Sequence, residues 1–287
     1  MPNNFSPKYL SLLKLIRINA PTGYLLSFFP ASFGLMLAYE KTYDLIYLPI
    51  FFIGSILVRS AGCIINDLFD QNLDKKVART QDRPLASGAI SNKEALIFLF
   101  ILLGASLSIL LSLSLTSIYI GFVSASLITI YPLMKRITYF PQVFLGLTFN
   151  TGCLIAYAAL KDSISYDAIL LYIACGFWTI GYDTVYAFMD LKDDKKVGIK
   201  SSALFFEHMP YKFIISIFYT IFFVGFAAAI EDILSLYTIT ALSISTIIAL
   251  WITVYLDIKN MQNCMIRFKA NNYIGFLLFL AMLLEKL

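Results

Sequence analysis

Apolar runs long enough to cross a bilayer recur along nearly the whole chain, separated by short charged stretches. Crossing the roughly 30 Å hydrocarbon core takes about 20 helical residues. Run length therefore predicts nine helices, near 20–39, 44–65, 94–115, 117–134, 140–160, 166–189, 212–230, 234–256 and 272–285, the last of them short.

Composition removes the soluble alternatives. Of the 287 residues, 59% are hydrophobic and 14% charged, whereas a soluble domain carries about 25% charged residues. The mean hydropathy is +0.78. No stretch is left over for a separate soluble domain, so residues 1–287 are expected to form one membrane domain. Cys63, Cys153, Cys175 and Cys264 lie far apart, mostly in apolar runs and without CxxC spacing, and read as small buried hydrophobes. The first run carries Lys14 and Arg17 with no small-residue cleavage site behind it, so no removable signal peptide is expected.

Basic residues set an orientation. With the N-terminus on one side, that side collects Lys8, Lys14, Arg17, Lys75, Lys76, Arg79, Arg83, Lys93, Lys135, Arg136, Lys192, Lys195, Lys196, Lys200, Lys212, Lys259, Arg267 and Lys269. The other side has Lys41, Lys161 and Lys286, and Arg59 lies within a helix, so the 22 basic residues divide 18, 3 and 1. The positive-inside rule makes the richer side cytoplasmic. Two long segments on that side, 66–93 and 190–211, also hold eight of the 18 carboxylates and are expected to be capping loops.

The second predicted helix runs out through Asn66, Asp67, Asp70 and Asp74, and steps of four put Asn66, Asp70 and Asp74 on one stripe, with Arg59 two turns deeper. The sixth ends in Asp183, Tyr186, Asp190 and Asp194, and steps of three, four and four make a second stripe. One offset of 120 residues maps Asp70 and Asp74 onto Asp190 and Asp194, which suggests a pseudo-repeat of two four-helix halves. Like charges four residues apart destabilise a helix unless cations offset them. Oxygen ligands without paired His or Cys point to Mg²⁺, held by one or two carboxylates plus phosphate oxygens. Two facing stripes would therefore hold a diphosphate through bridging ions. Asn66, Asp67, Asp70, Asp74, Asp190 and Asp194 are the expected metal ligands or their supports. Arg79, Arg83 and Lys200, from the segments after the stripes, are candidate phosphate ligands. Arg59 is a charge expected inside the bilayer, where it needs a partner in the bundle interior.

At these residues the sequence resembles the UbiA superfamily of intramembrane aromatic prenyltransferases, most closely the branch that prenylates 4-hydroxybenzoate in ubiquinone biosynthesis. The match spans nearly the whole chain. RxAGC is Arg59 to Cys63, NDxxDxxxD is Asn66 to Asp74, and RTxxRPLxSG is Arg79 to Gly88. YPxxKRxTxxPQxxLG is Tyr131 to Gly146, and YDTxYAxxDxxDDxxxGxKSxA is Tyr182 to Ala203. Departures are Glu207-His208, where a glycine is common, and Asn19 in place of an acid. The resemblance implies a polytopic all-α bundle around a central cavity, with a side opening to the bilayer for an isoprenoid tail. It also implies polyprenyl diphosphate and 4-hydroxybenzoate as substrates in a bacterial inner membrane, with lipid around the protein but no nucleic acid and no obligate protein partner.

On that reading Asp70, Asp190, Arg59 and Arg136 are the expected catalytic residues. Arg17, Arg59, Arg79, Arg83, Lys135, Arg136, Tyr186 and Lys200 are expected to bind substrate, the acceptor's carboxylate falling to Arg59, Arg17 or Arg136. A cation-coupled transporter would carry its acids near the bilayer midplane, often at broken helices; these cluster at helix ends. A soluble isoprenyl synthase is excluded by hydropathy. No P-loop, GxGxxG or HExxH is present, and His208, beside Pro210, lacks a nucleophile's context.

Overall fold

In an apolar surround every backbone N–H and C=O must be satisfied within its own segment, which leaves helices as the element an apolar run can adopt. The computed structural model describes residues 7–77 and 79–286, and these are helical with no strand. In chain order the helices are α1 (Pro7–Leu15), α2 (Thr22–Ala38), α3 (Tyr47–Asp74), α4 (Asn92–Leu111), α5 (Leu115–Ile137), α6 (Pro141–Phe149) and α7 (Thr151–Lys161). They continue as α8 (Tyr166–Ala187), α9 (Leu191–Val197), α10 (Ser202–Phe206), α11 (Tyr211–Ala229), α12 (Leu236–Val254) and α13 (Met261–Lys286). Serines start many of them: Ser91, Ser114, Ser165, Ser201 and Ser235 each accept from a backbone N–H two or three residues into the helix, satisfying a donor that has no intrahelical partner.

α2 runs through the middle of the bundle, against α7, α13, α3 and α8. Small residues allow the closest approaches. A Cβ on Gly34 would fall 2.0 Å from the Cys153 carbonyl oxygen of α7, and one on Gly146 of α6 would fall 2.9 Å from that of Gly176 in α8. The core is aromatic, with Trp178 stacked on Phe222 at 5.0 Å and Phe33 edge-on to Phe226 at 5.1 Å. Asn271 of α13 ties it together by accepting from Trp178 Nε1 (2.8 Å) and the Tyr219 hydroxyl (2.9 Å).

Among the described residues seven helical stretches are long and apolar enough to cross a membrane: Thr42–Asp74, Asn92–Leu111, Leu115–Ile137, Pro141–Lys161, Tyr166–Lys196, Tyr211–Ala229 and Leu236–Val254. The chain is thus a multi-pass membrane protein. Length and apolarity do not establish the expected nine, because α2 has only 17 residues and α13 is polar in its first half.

Three expected boundaries move. The helix expected over 44–65 continues to Asp74, and the acids expected in capping loops are carried on helical backbone. Asp67, Asp70 and Asp74 each pair with a cation from elsewhere, so charge does not stop the helix. The helix expected over 140–160 breaks at Asn150, whose Nδ2 donates to the Gly146 carbonyl and to Thr179 Oγ1. The last helix begins at Met261, eleven residues before the apolar run at 272, because its polar first half buries Cys264, Arg267 and Asn271 against the bundle.

Candidate active site

The helix ends that carry the two stripes meet around one cavity of about 140 Å³ that is partly open to solvent. α3 contributes Asp70 and Asp74, and α8 with the turn and helix after it contributes Asp183, Tyr186, Asp190 and Asp194. The segment after α3 adds Arg79, Thr80 and Arg83; α5 and α6 add Tyr131, Lys135 and Gln142; Lys200 and Ser201 close the rim. Five carboxylates and four cations thus share one wall-to-wall space.

Each carboxylate of the first row has a cation of its own. Asp70 is buried and faces Lys135 Nζ at 3.4 Å, and the same ammonium donates to Asn66 Oδ1 at 3.2 Å. Asp74 accepts from Arg83 Nη1 at 2.8 Å. In the second row Asp190 sits on a single turn of tighter helix, Phe188–Asp190, between α8 and α9. It takes both arms of Arg79, Nε at 2.6 Å and Nη2 at 2.5 Å, while Arg79 Nη1 donates to the Tyr186 hydroxyl at 3.2 Å. Arg79 follows α3 in the chain, so this bidentate pair joins the two rows. Burial works against the Arg79 charge, but Tyr186 and Asp190 outweigh it and hold the guanidinium above its ordinary range.

Five expected site residues, Arg17, Arg59, Asn66, Asp67 and Arg136, do not line the cavity. Asp67 is 1% exposed and is clamped between Arg17 (2.6 Å) and Arg83 (3.1 Å). One residue on from Asn66, it turns to the neighbouring face of α3, where Arg17 reaches it from a backbone with φ of 56°. Arg136 is exposed and donates to the Phe69 carbonyl at 3.2 Å. Arg59 lies over the Phe149 ring (5.5 Å) and donates to Cys63 Sγ, which also accepts from Arg17. A Cβ on Gly23 would come within 2.9 Å of Arg59 Nε, so glycine opens this seat. Arg59 has no carboxylate partner among the described residues, and its Nε is buried without a hydrogen bond.

The sequence reading left Tyr131, Gln142, Thr80, Ser201 and Asp183 out of the candidate site. Asp183 had a signal, since it begins the second stripe. Gln142 and Tyr131 arrive on helices that bring no acid, and only packing puts them here.

Among the described residues no three His, Cys, Asp or Glu side chains converge tightly enough to hold a metal unaided. An ion such as Mg²⁺ needs only one or two carboxylates when phosphate oxygens complete its shell. The acids here are hard oxygen donors on two sides of one space, with cations placed for the remaining anionic charge.

Known proteins share this chain's sequence and fold. The UbiA prenyltransferase family model matches residues 27–282. A 4-hydroxybenzoate octaprenyltransferase of Blochmanniella pennsylvanica is 40% identical over 96% of this chain and 96% of its own length. A mitochondrial 4-hydroxybenzoate polyprenyltransferase of Bos taurus is 39% identical over 99% of this chain and 78% of its own. Among solved structures, a UbiA homologue from Aeropyrum pernix superposes with a TM-score of 0.77 at 20% identity, covering 92% of this chain and 98% of that one. One from Archaeoglobus fulgidus bound to GPP and Mg²⁺ gives 0.71 at 15% identity, covering 96% and 99%. With nearly nine-tenths of its length matched, the chain belongs to the UbiA prenyltransferase family.

Proposed function

We propose that this protein transfers a polyprenyl group from a polyprenyl diphosphate to the ring carbon ortho to the hydroxyl of 4-hydroxybenzoate, in ubiquinone biosynthesis and with Mg²⁺. The observation that carries this reading is the shared cavity, where Asp70 and Asp74 of α3 share one space with Asp183 of α8, Asp190 of the turn after it and Asp194 of α9, among Arg79, Arg83, Lys135 and Lys200. Relatives near 40% identity bear the corresponding name, and a relative of the same fold binds a prenyl diphosphate with Mg²⁺.

Asn66, Asp70, Asp190 and Asp194 would hold Mg²⁺, with Asp74 in support, and the ion would neutralise charge on the departing diphosphate. Lys135, Lys200, Arg79 and Arg83 donate to the diphosphate oxygens and strengthen as the C–O bond breaks and charge gathers there. Arg59, without a carboxylate partner among the described residues and with its Nε buried and unbonded, holds the acceptor's carboxylate, while Phe149 beneath it walls the ring from water that would capture the carbocation. The acceptor ring then attacks the allylic carbon, and its displaced proton passes to an oxygen base of the cavity, restoring aromaticity. Arg17 and Asp67 act through position, fixing Cys63 and Arg83 beside this seat.

The seven spans are joined by α2 and α13, giving nine crossings of a bacterial cytoplasmic membrane, and the cavity opens on the side that carries 18 of the 22 basic residues. The deciding experiment is mass spectrometry of the product formed in membranes offered prenyl diphosphate with 4-hydroxybenzoate, naphthoate, homogentisate or haem. Prenylated 4-hydroxybenzoate is expected; turnover confined to another acceptor refutes the assignment.

A further inference from the structure

Arg267 lies outside the cavity, in the polar first half of α13 where α13 packs on α12. It is 8% exposed, and its Nε and Nη1 are buried with no hydrogen-bond partner among the described residues. No carboxylate pairs with it among the described residues. Its guanidinium carbon lies over the Trp251 ring at 3.5 Å from the centroid, with the Tyr255 ring at 5.9 Å. Cation–π contact favours the charge but supplies no acceptor for its N–H groups, and a buried guanidinium without an acceptor is costly.

The surroundings identify the acceptor. Ile247, Leu250, Val254 and Ile266, on the same two helices, are exposed apolar residues, as a lipid-facing wall requires. Trp251 is 41% and Tyr255 62% exposed, the pair of residue types enriched at headgroup depth. Trp251 is three residues from the end of α12, about 4.5 Å inside it. Lys212 Nζ donates to the Val254 carbonyl at that end and adds a second cation beside it. We propose that Arg267, flanked by Trp251 and Tyr255, is a phospholipid seat on the outer wall between α12 and α13, in which a headgroup phosphodiester accepts from the guanidinium while the acyl chains lie along the apolar face. A forked donor suits two phosphate oxygens in a way an ammonium does not.

The test is native mass spectrometry of the full chain after exchange into detergent and titration with phospholipid. Wild type is expected to retain a bound phospholipid that millimolar inorganic phosphate does not displace. Arg267→Gln and Trp251→Leu are each expected to lower its occupancy, Arg267→Gln by roughly tenfold or more, and Lys269→Ala, an exposed charge on the same helix, to leave it unchanged. If Arg267→Gln does not fold, Trp251→Leu carries the test. Undiminished occupancy in the folded variants, an equal loss in Lys269→Ala, or displacement by inorganic phosphate would overturn the proposal.

Discussion

The two acidic rows look alike in sequence and behave differently in the fold. The row on α3 is continuous helix to its last acid, its carboxylates are buried, and each is matched by a cation. The row that begins on α8 is interrupted by the tighter turn at Phe188–Asp190, its Asp190 is 19% exposed, and the ion pair of Asp190 reaches across to Arg79. One row is thus carried on a single continuous helix, and the other is divided between α8, a tighter turn and α9. Like spacing of acids in the sequence does not fix the backbone that presents them.

The largest expected effect comes from the two acids that face each other. Asp70→Ala and Asp190→Ala should each lower turnover roughly 100-fold or more while the protein still folds, read as product formed per unit of folded enzyme in membranes. If Asp190→Ala stayed active, the second row would be reduced to a structural partner of Arg79.

Asp67→Asn should separate stability from chemistry. It leaves Arg17 without its carboxylate and takes one of two from Arg83, so it should cost about 3 kcal/mol of stability, measured as a lower thermal midpoint in detergent. The remaining folded enzyme should keep a near-normal KM for the prenyl diphosphate. A raised KM with unchanged stability would place Asp67 back among the metal supports.

Arg79→Ala should be milder, about tenfold in kcat/KM, the size of one charge-assisted hydrogen bond of about 1.5 kcal/mol. It removes the link between the rows but leaves both in place. Arg136→Ala should change turnover less than about twofold, as expected for an exposed surface side chain. A large loss there would mean that Arg136 leaves the Phe69 carbonyl during the reaction.

Sequence pattern disclosed much of this because four-residue steps of like charge are visible without any packing: Asp70, Asp74, Asp190 and Asp194 were legible, and all four line the cavity. What it could not disclose depends on which face of a helix meets which neighbour. Asp67 stands beside Asn66 in the chain yet turns to Arg17, a cation reached only through the left-handed backbone after α1. Gln142 and Tyr131 come from helices with no acid and enter only because α5 and α6 pack beside the rows. Run length likewise stops a helix at its first charges, so α3 and α13 were predicted too short; ion pairs hold the acids of α3, and Asn271 of α13 accepts from Trp178 and Tyr219, so these polar residues do not end their helices.

The claim that the two rows jointly hold one diphosphate is tested most directly by titrating a non-ionising prenyl diphosphate analogue, with and without Mg²⁺, into wild type, Asp70→Asn, Asp190→Asn and the double variant. Wild type should bind far more tightly with the metal, each single variant should lose most of that gain, and the double variant should lose little more than either single, as coupled groups do. Full Mg²⁺-dependent affinity in either single variant, or losses that simply add, would contradict it.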